Sequence, residues 1–104
     1  MGIPMAAIDF TTLVDSVADQ FEKDTRMLVS PGARGELIRS ALPHRAHVEQ
    51  KLAAGNITVD FLKSAVQTVL NNARDIANSW GQDQVGTDTI QESMRLNCPY
   101  LFWC

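Results

Sequence analysis

The residues of this 104-residue sequence whose types and spacing could do chemistry fall in two places. The last eight positions read NCPYLFWC, Asn97 to Cys104, and set two thiols, Cys98 and Cys104, around Pro99, Tyr100, Leu101, Phe102 and Trp103. The second place is LPHRAHVEQ, where His44 and His47 stand three positions apart and would share one side of a helix. The two imidazoles with Cys98 and Cys104 make a Cys₂His₂ donor set of the kind that holds zinc. The spacing opposes this, because five residues separate the two cysteines, whereas structural zinc sites hold paired cysteines about two to four residues apart. His44 is also in phase with Ala41, Val48 and Leu52, which makes it a core-edge imidazole, and His47 reads as solvated.

Covalent catalysis needs a thiolate with a base beside it and a third group to orient that base. Neither cysteine sits in a CxxC or similar signature, and SPGARG lacks the lysine and preceding strand of a phosphate-binding loop. Asp15, Asp19 and Glu22 fall on the polar side of the first helical segment and are expected to be solvated there. No enzymatic activity and no cofactor are expected.

The aromatic cluster is the feature that asks for a role. Three of the chain's seven aromatic residues, drawn from two Trp, one Tyr and four Phe, lie between Cys98 and Cys104. Burying Tyr100, Leu101, Phe102 and Trp103 would contribute roughly 6–10 kcal/mol, and ordering eight backbone residues would cost roughly 8–16 kcal/mol. The terms nearly cancel, so the segment needs prepared pockets or backbone hydrogen bonds. It either folds back over a groove between helices or inserts into another protein or a second copy of the chain, as aromatic anchors do at interfaces. In composition alone, CPYLFWC also resembles the modified end of a ribosomally made natural-product precursor. That likeness implies a folded helical leader, a core peptide in residues 98–104, and a tail-modifying enzyme as partner.

The composition, 45% hydrophobic and 20% charged with a formal net charge of -3, is that of a globular domain. The nine Lys and Arg are scattered with no basic stripe, which argues against nucleic acid. No stretch has the length of a membrane span. The opening MGIPMAAIDF lacks a secretory signal pattern, and Ala6 stands where a myristoylation motif wants Ser or Thr. A cytoplasmic location without membrane association is therefore expected.

These residues need elements to position them. Asp9 is a helix cap, and Phe10, Leu13, Val14, Val17, Ala18, Phe21 and Leu28 form an apolar stripe as far as the break at Ser30-Pro31-Gly32. Ser30 and Pro31 start a second helix through Leu37, Ile38, Ala41 and Leu42, and Pro43 interrupts it. Helical phase resumes through Val48 and Leu52 and ends at Gly55. Thr58 opens the longest stripe, Phe61, Leu62, Ala65, Val66, Val69, Leu70, Ala73, Ile76, Ala77 and Trp80, which Gly81 closes. Its outer face (Gln67, Asn71, Asn72, Asp75, Asn78) is rich in amides, which would suit a subunit contact. After the loop GQDQVG, Asp88-x-x-Gln91 and Thr89-x-x-Glu92 resemble capping boxes for a last helix through Ile90 and Met94. No strand alternation is visible. The expected fold is an all-α compact bundle of four to five helices with a long central helix. Its domain would occupy 1–97, with an extended aromatic tail over 98–104. The expected role is a non-catalytic protein-interaction domain, adaptor- or inhibitor-like.

Overall fold

The computed structural model describes residues 8–97. Over those residues the protein is a mostly helical, compact globule. Helix α1 (Phe10–Thr25) starts where Asp9 accepts hydrogen bonds from the backbone N–H of Thr11 and Thr12, and it buries Phe10, Leu13, Val14, Val17, Ala18 and Phe21. Helix α2 (Pro31–Ala41) is capped by Ser30, whose side chain accepts from Ala33 N–H. A 3₁₀ turn at Leu42–His44, entered through Pro43, leads to α3 (Arg45–Ala53). Gly55 then takes the left-handed conformation, with φ +76°, that helix ends favour. Thr58 caps α4 (Val59–Ser79), and α5 (Thr87–Leu96) completes the described chain.

Helix α4 is 21 residues long, about 32 Å, and it buries Leu62, Ala65, Val66, Val69, Leu70, Ala73 and Ala77, with Ile76 only partly covered. It packs on α1 and α5. Helix α2 makes its contacts with α5 and α1 instead, so the arrangement is less centred on the long helix than the stripes alone suggest. Phe21, Leu37, Leu62, Leu70 and Ile90 are the largest fully buried side chains, and each contributes on the order of 1.5–3 kcal/mol by leaving water. Phe61 and Trp80, at the two ends of the predicted α4 stripe, remain half exposed.

Three features differ from the sequence expectation. First, α1 stops short of Leu28. Thr25 Oγ1 donates to Phe21 C=O at 2.7 Å, Arg26 adopts φ 59°, and the chain turns into an extended segment in which Leu28 is exposed. Second, the fold is not purely helical. β1 (Leu28–Val29) pairs in parallel with β2 (Gln84–Val85), Leu28 opposite Gln84 and Val29 opposite Val85, and Ser30 N–H extends the ladder to Val85 C=O at 2.9 Å. Two residues per strand are too few to show alternation, yet Val29 and Val85 are both buried and tie the α1–α2 link to the α4–α5 link. Third, α5 begins earlier than either predicted capping box. Gly86 is its N-cap; Thr89 Oγ1 accepts from Gly86 N–H at 2.7 Å and donates to Gly86 C=O at 2.9 Å. Gln91 and Glu92 have no part in that cap.

Candidate functional site

Residues 98–104, including Cys98, Pro99, Tyr100, Leu101, Phe102, Trp103 and Cys104, lie outside the described residues. What the structure does place is the point from which they depart. Asn97 is the C-cap of α5, and its side-chain Nδ2 donates to Asn72 Oδ1 on α4 at 2.9 Å and to Ser93 C=O at 2.8 Å. Ser93 is fully buried and donates through Oγ to Val69 C=O at 2.6 Å. The end of α5 is thus tied to α4 by a small amide and hydroxyl network. This network also engages Asn72, one member of the amide-rich face of α4. Two others, Gln67 and Asn71, are bonded to each other at 3.1 Å.

A groove runs between α1 and α4. Its apolar half, about 350 Å³, is walled by Ile8, Leu13, Leu52 and Val59, with Asp9, Thr12, Ser16 and Lys63 at its rim. It continues into a more polar half of about 550 Å³ between Val17 and Gln20 on α1 and Ser64, Gln67 and Thr68 on α4. Ser16 and Lys63 belong to both halves. Ile8 enters this groove under restraint. Its backbone N–H donates to Glu49 Oε2 at 3.0 Å, and the same oxygen accepts from Arg45 Nε at 3.1 Å. The Arg45 hydrogen bond, then the Ile8 N–H, hold the Glu49 carboxyl below its ordinary pKa.

His44, in the 3₁₀ turn, is partly buried and His47, on α3, is exposed. Among the described residues no group of three or more His, Cys, Asp or Glu is placed to hold a metal ion. Cys98 and Cys104, the other half of the zinc set, fall outside them. No described helix is long and apolar enough to cross a membrane.

The acidic face of α1 departs from expectation. Asp15, Asp19 and Glu22 do not simply face water; all three meet Arg34 of α2. Arg34 Nη1 lies 3.2 Å from Asp15 Oδ1 and 2.9 Å from Asp19 Oδ1, and Nη2 lies 3.1 Å from Glu22 Oε1. The other oxygen of Glu22 accepts from Val29 N–H at 2.8 Å, and Arg34 Nε donates to Val29 C=O at 3.4 Å. Burial of the guanidinium works against its charge, but the hydrogen bonds it donates to Asp19, Asp15 and Glu22 outweigh it, and the Arg34 pKa is raised. The signal was present in the sequence: acids at positions 15, 19 and 22 recur at helical spacing on one face and call for a cation opposite. The cluster closes on itself around a backbone strand, so it fixes structure and offers no open site for a ligand. No known protein family matches the chain, nor does any curated protein or any solved structure.

Proposed function

We propose that the chain is a non-catalytic protein-interaction domain whose principal contact is the segment Tyr100-Leu101-Phe102-Trp103, offered to a protein partner or to a second copy. The observation that supports this reading most directly is the Asn97 network. A helix end held at Asn72 and Ser93 gives the following residues a defined point of departure from the helical body. A fixed departure point lowers the ordering entropy that a short aromatic segment must lose on binding. Aromatic side chains carry a disproportionate share of interface energy for the few residues they occupy.

The test is a photo-crosslinking amino acid at position 102 in the native host, followed by affinity measurement with the purified crosslinked partner. The reading expects the triple change Tyr100→Ser, Phe102→Ser, Trp103→Ser to abolish that affinity, or concentration-dependent self-association, while the circular dichroism and melting of the domain stay unchanged. Retention of both binding and self-association overturns it. An intact mass from the native host that departs from the unmodified chain within residues 98–104 also overturns it, in favour of the precursor resemblance.

A further inference from the structure

We infer that the groove between α1 and α4 binds an aliphatic monocarboxylate, its chain in the apolar half and its carboxylate on Lys63. The groove changes chemistry along its length, and Lys63 stands with Ser16 where the two halves meet. The apolar half, about 350 Å³, is walled by Ile8, Leu13, Leu52 and Val59. That size falls within the roughly 300–1,000 Å³ of small-molecule sites, which pair apolar walls with a few placed polar groups. Leu13 comes from α1, Leu52 from α3 and Val59 from α4, so the packing of three helices sets the shape of this half.

Charge complementarity selects the head group. Hydroxyls and amides from Ser16, Gln20, Ser64, Gln67 and Thr68 line the polar half, and Lys63 supplies its formal charge with no acid in the same lining. Arg34, Arg39, Arg45, Arg74 and Arg95 are all engaged in ion pairs, whereas Lys63 is in none among the described residues. Asp9 is the acid at the rim of the apolar half, and its carboxylate is already taken. Its Oδ1 accepts from the N–H of Thr11 at 3.0 Å and of Thr12 at 3.3 Å, and its Oδ2 from the Thr12 hydroxyl at 2.9 Å. The ammonium is therefore left for an anion that enters from outside.

The same residues set what the ligand is. A single ammonium is a compact point charge without the fork of a guanidinium, so it matches one carboxylate better than a doubly charged phosphate. An extended peptide would carry backbone N–H and C=O groups against Ile8, Leu13, Leu52 and Val59, whose side chains offer them no partner. A hydrocarbon chain brings no such groups and gains from every methylene it buries there. The carboxylate then sits on Lys63 with the Ser16 and Ser64 hydroxyls beside it, and the chain end lies toward Leu52 and Val59. The inference stands independently of the role given to residues 98–104.

The test titrates octanoate, below its micelle concentration, into the whole chain with ¹³C-labelled Ile, Leu and Val methyl groups. Binding expects saturable shifts of the Leu13, Leu52 and Val59 methyl signals and nuclear Overhauser contacts from the terminal methyl of the ligand to Leu52 or Val59. Hexanoate, two methylenes shorter, should bind roughly 15-fold more weakly. Lys63→Gln should weaken octanoate by roughly two- to fivefold, the worth of an exposed ion pair, and leave octanol unchanged. Octyltrimethylammonium should bind more weakly than either. Val59→Asp should abolish octanoate binding with the helical circular dichroism retained, because an acid suits the first turn of a helix. The absence of saturable shifts at millimolar octanoate overturns the inference. So does equal affinity for the three head groups, an unchanged affinity in Lys63→Gln, or contacts showing the groove of the ligand-free protein filled by another part of the chain or by a second copy.

Discussion

Replacing Arg34 by Ala removes the one cation shared by Asp15, Asp19 and Glu22, and the three pairs are not equal. The Arg34 side chain is 18% exposed and that of Glu22 23%, whereas Asp15 and Asp19 are 45% and 61% exposed. Exposed ion pairs are typically worth ~0.2–1 kcal/mol, but a hydrogen bond to a charged, mostly desolvated partner is worth about 1.5–3 kcal/mol. Arg34→Ala should therefore destabilise the domain by roughly 2–4 kcal/mol, most of it from the Glu22 pair, and lower Tm by roughly 10–25 °C. Glu22→Ala should cost at least as much, because it also strips the acceptor from Val29 N–H at the start of the strand pair. Arg34→Lys should recover only part of the loss, since an ammonium cannot reach three carboxylates and the Val29 carbonyl in one planar fork. The assay is urea unfolding of the single and double variants, with coupling energies taken from the cycles. The Arg34–Glu22 coupling should survive 1 M salt, and the Arg34–Asp19 coupling should shrink in it. A loss below about 1 kcal/mol for Arg34→Ala, or an Asp19→Ala variant as damaging as Glu22→Ala, refutes the reasoning.

Leu70 is fully buried in the middle of α4, so Leu70→Ala should cost ~2–5 kcal/mol by urea unfolding with an unchanged denaturant slope. Ser93→Ala removes the bond to Val69 C=O and should cost about 1 kcal/mol; it should also speed exchange of the Asn97 side-chain amide, and an unaltered exchange rate would show that the α5 end is held by other means. The carboxyls of Asp9, Glu49, Asp88 and Glu92 all have lowered pKa values, through hydrogen bonds from Thr12, Arg45, Gln82 and Arg95 respectively. A carboxyl whose folded pKa is depressed binds its proton more readily in the unfolded chain, so its stabilisation is present above the usual carboxylate range and is lost as pH falls through and below about 4. The urea midpoint should be level above that range and drop on acidification, whereas a midpoint that holds or rises down to pH 3 would contradict these bonds.

Local signals were legible in the sequence and long-range ones were not, for a physical reason. Asp9, Ser30 and Thr58 cap their helices because a short oxygen-bearing side chain beside a helix start satisfies backbone N–H groups within three residues. The whole interaction lies inside a window that a reader of sequence can scan. Leu28 breaks the same kind of reasoning. It is in phase with the α1 stripe, yet the helix has ended by then, because Val29 N–H is taken by Glu22 and the segment pairs with Gln84–Val85, more than fifty positions away. No periodicity within twenty residues can report a two-residue ladder of that kind. The start of α5 escapes a local pattern for a related reason. Glycine has no side chain to serve as a cap, so Gly86 carries no cap signal, while Thr89, at the third helical position, satisfies the Gly86 backbone by itself. The acidic residues on α1 have no partner within their own helix, although their spacing forms one half of a salt cluster completed by Arg34. The groove follows the same logic. Leu13 reads as an ordinary stripe residue and Val59 lies outside the α4 stripe, and only their meeting with Ile8 and Leu52 across three elements makes a cavity. A single residue's type sets what it can bond; the fold alone determines which of those bonds are formed at a distance.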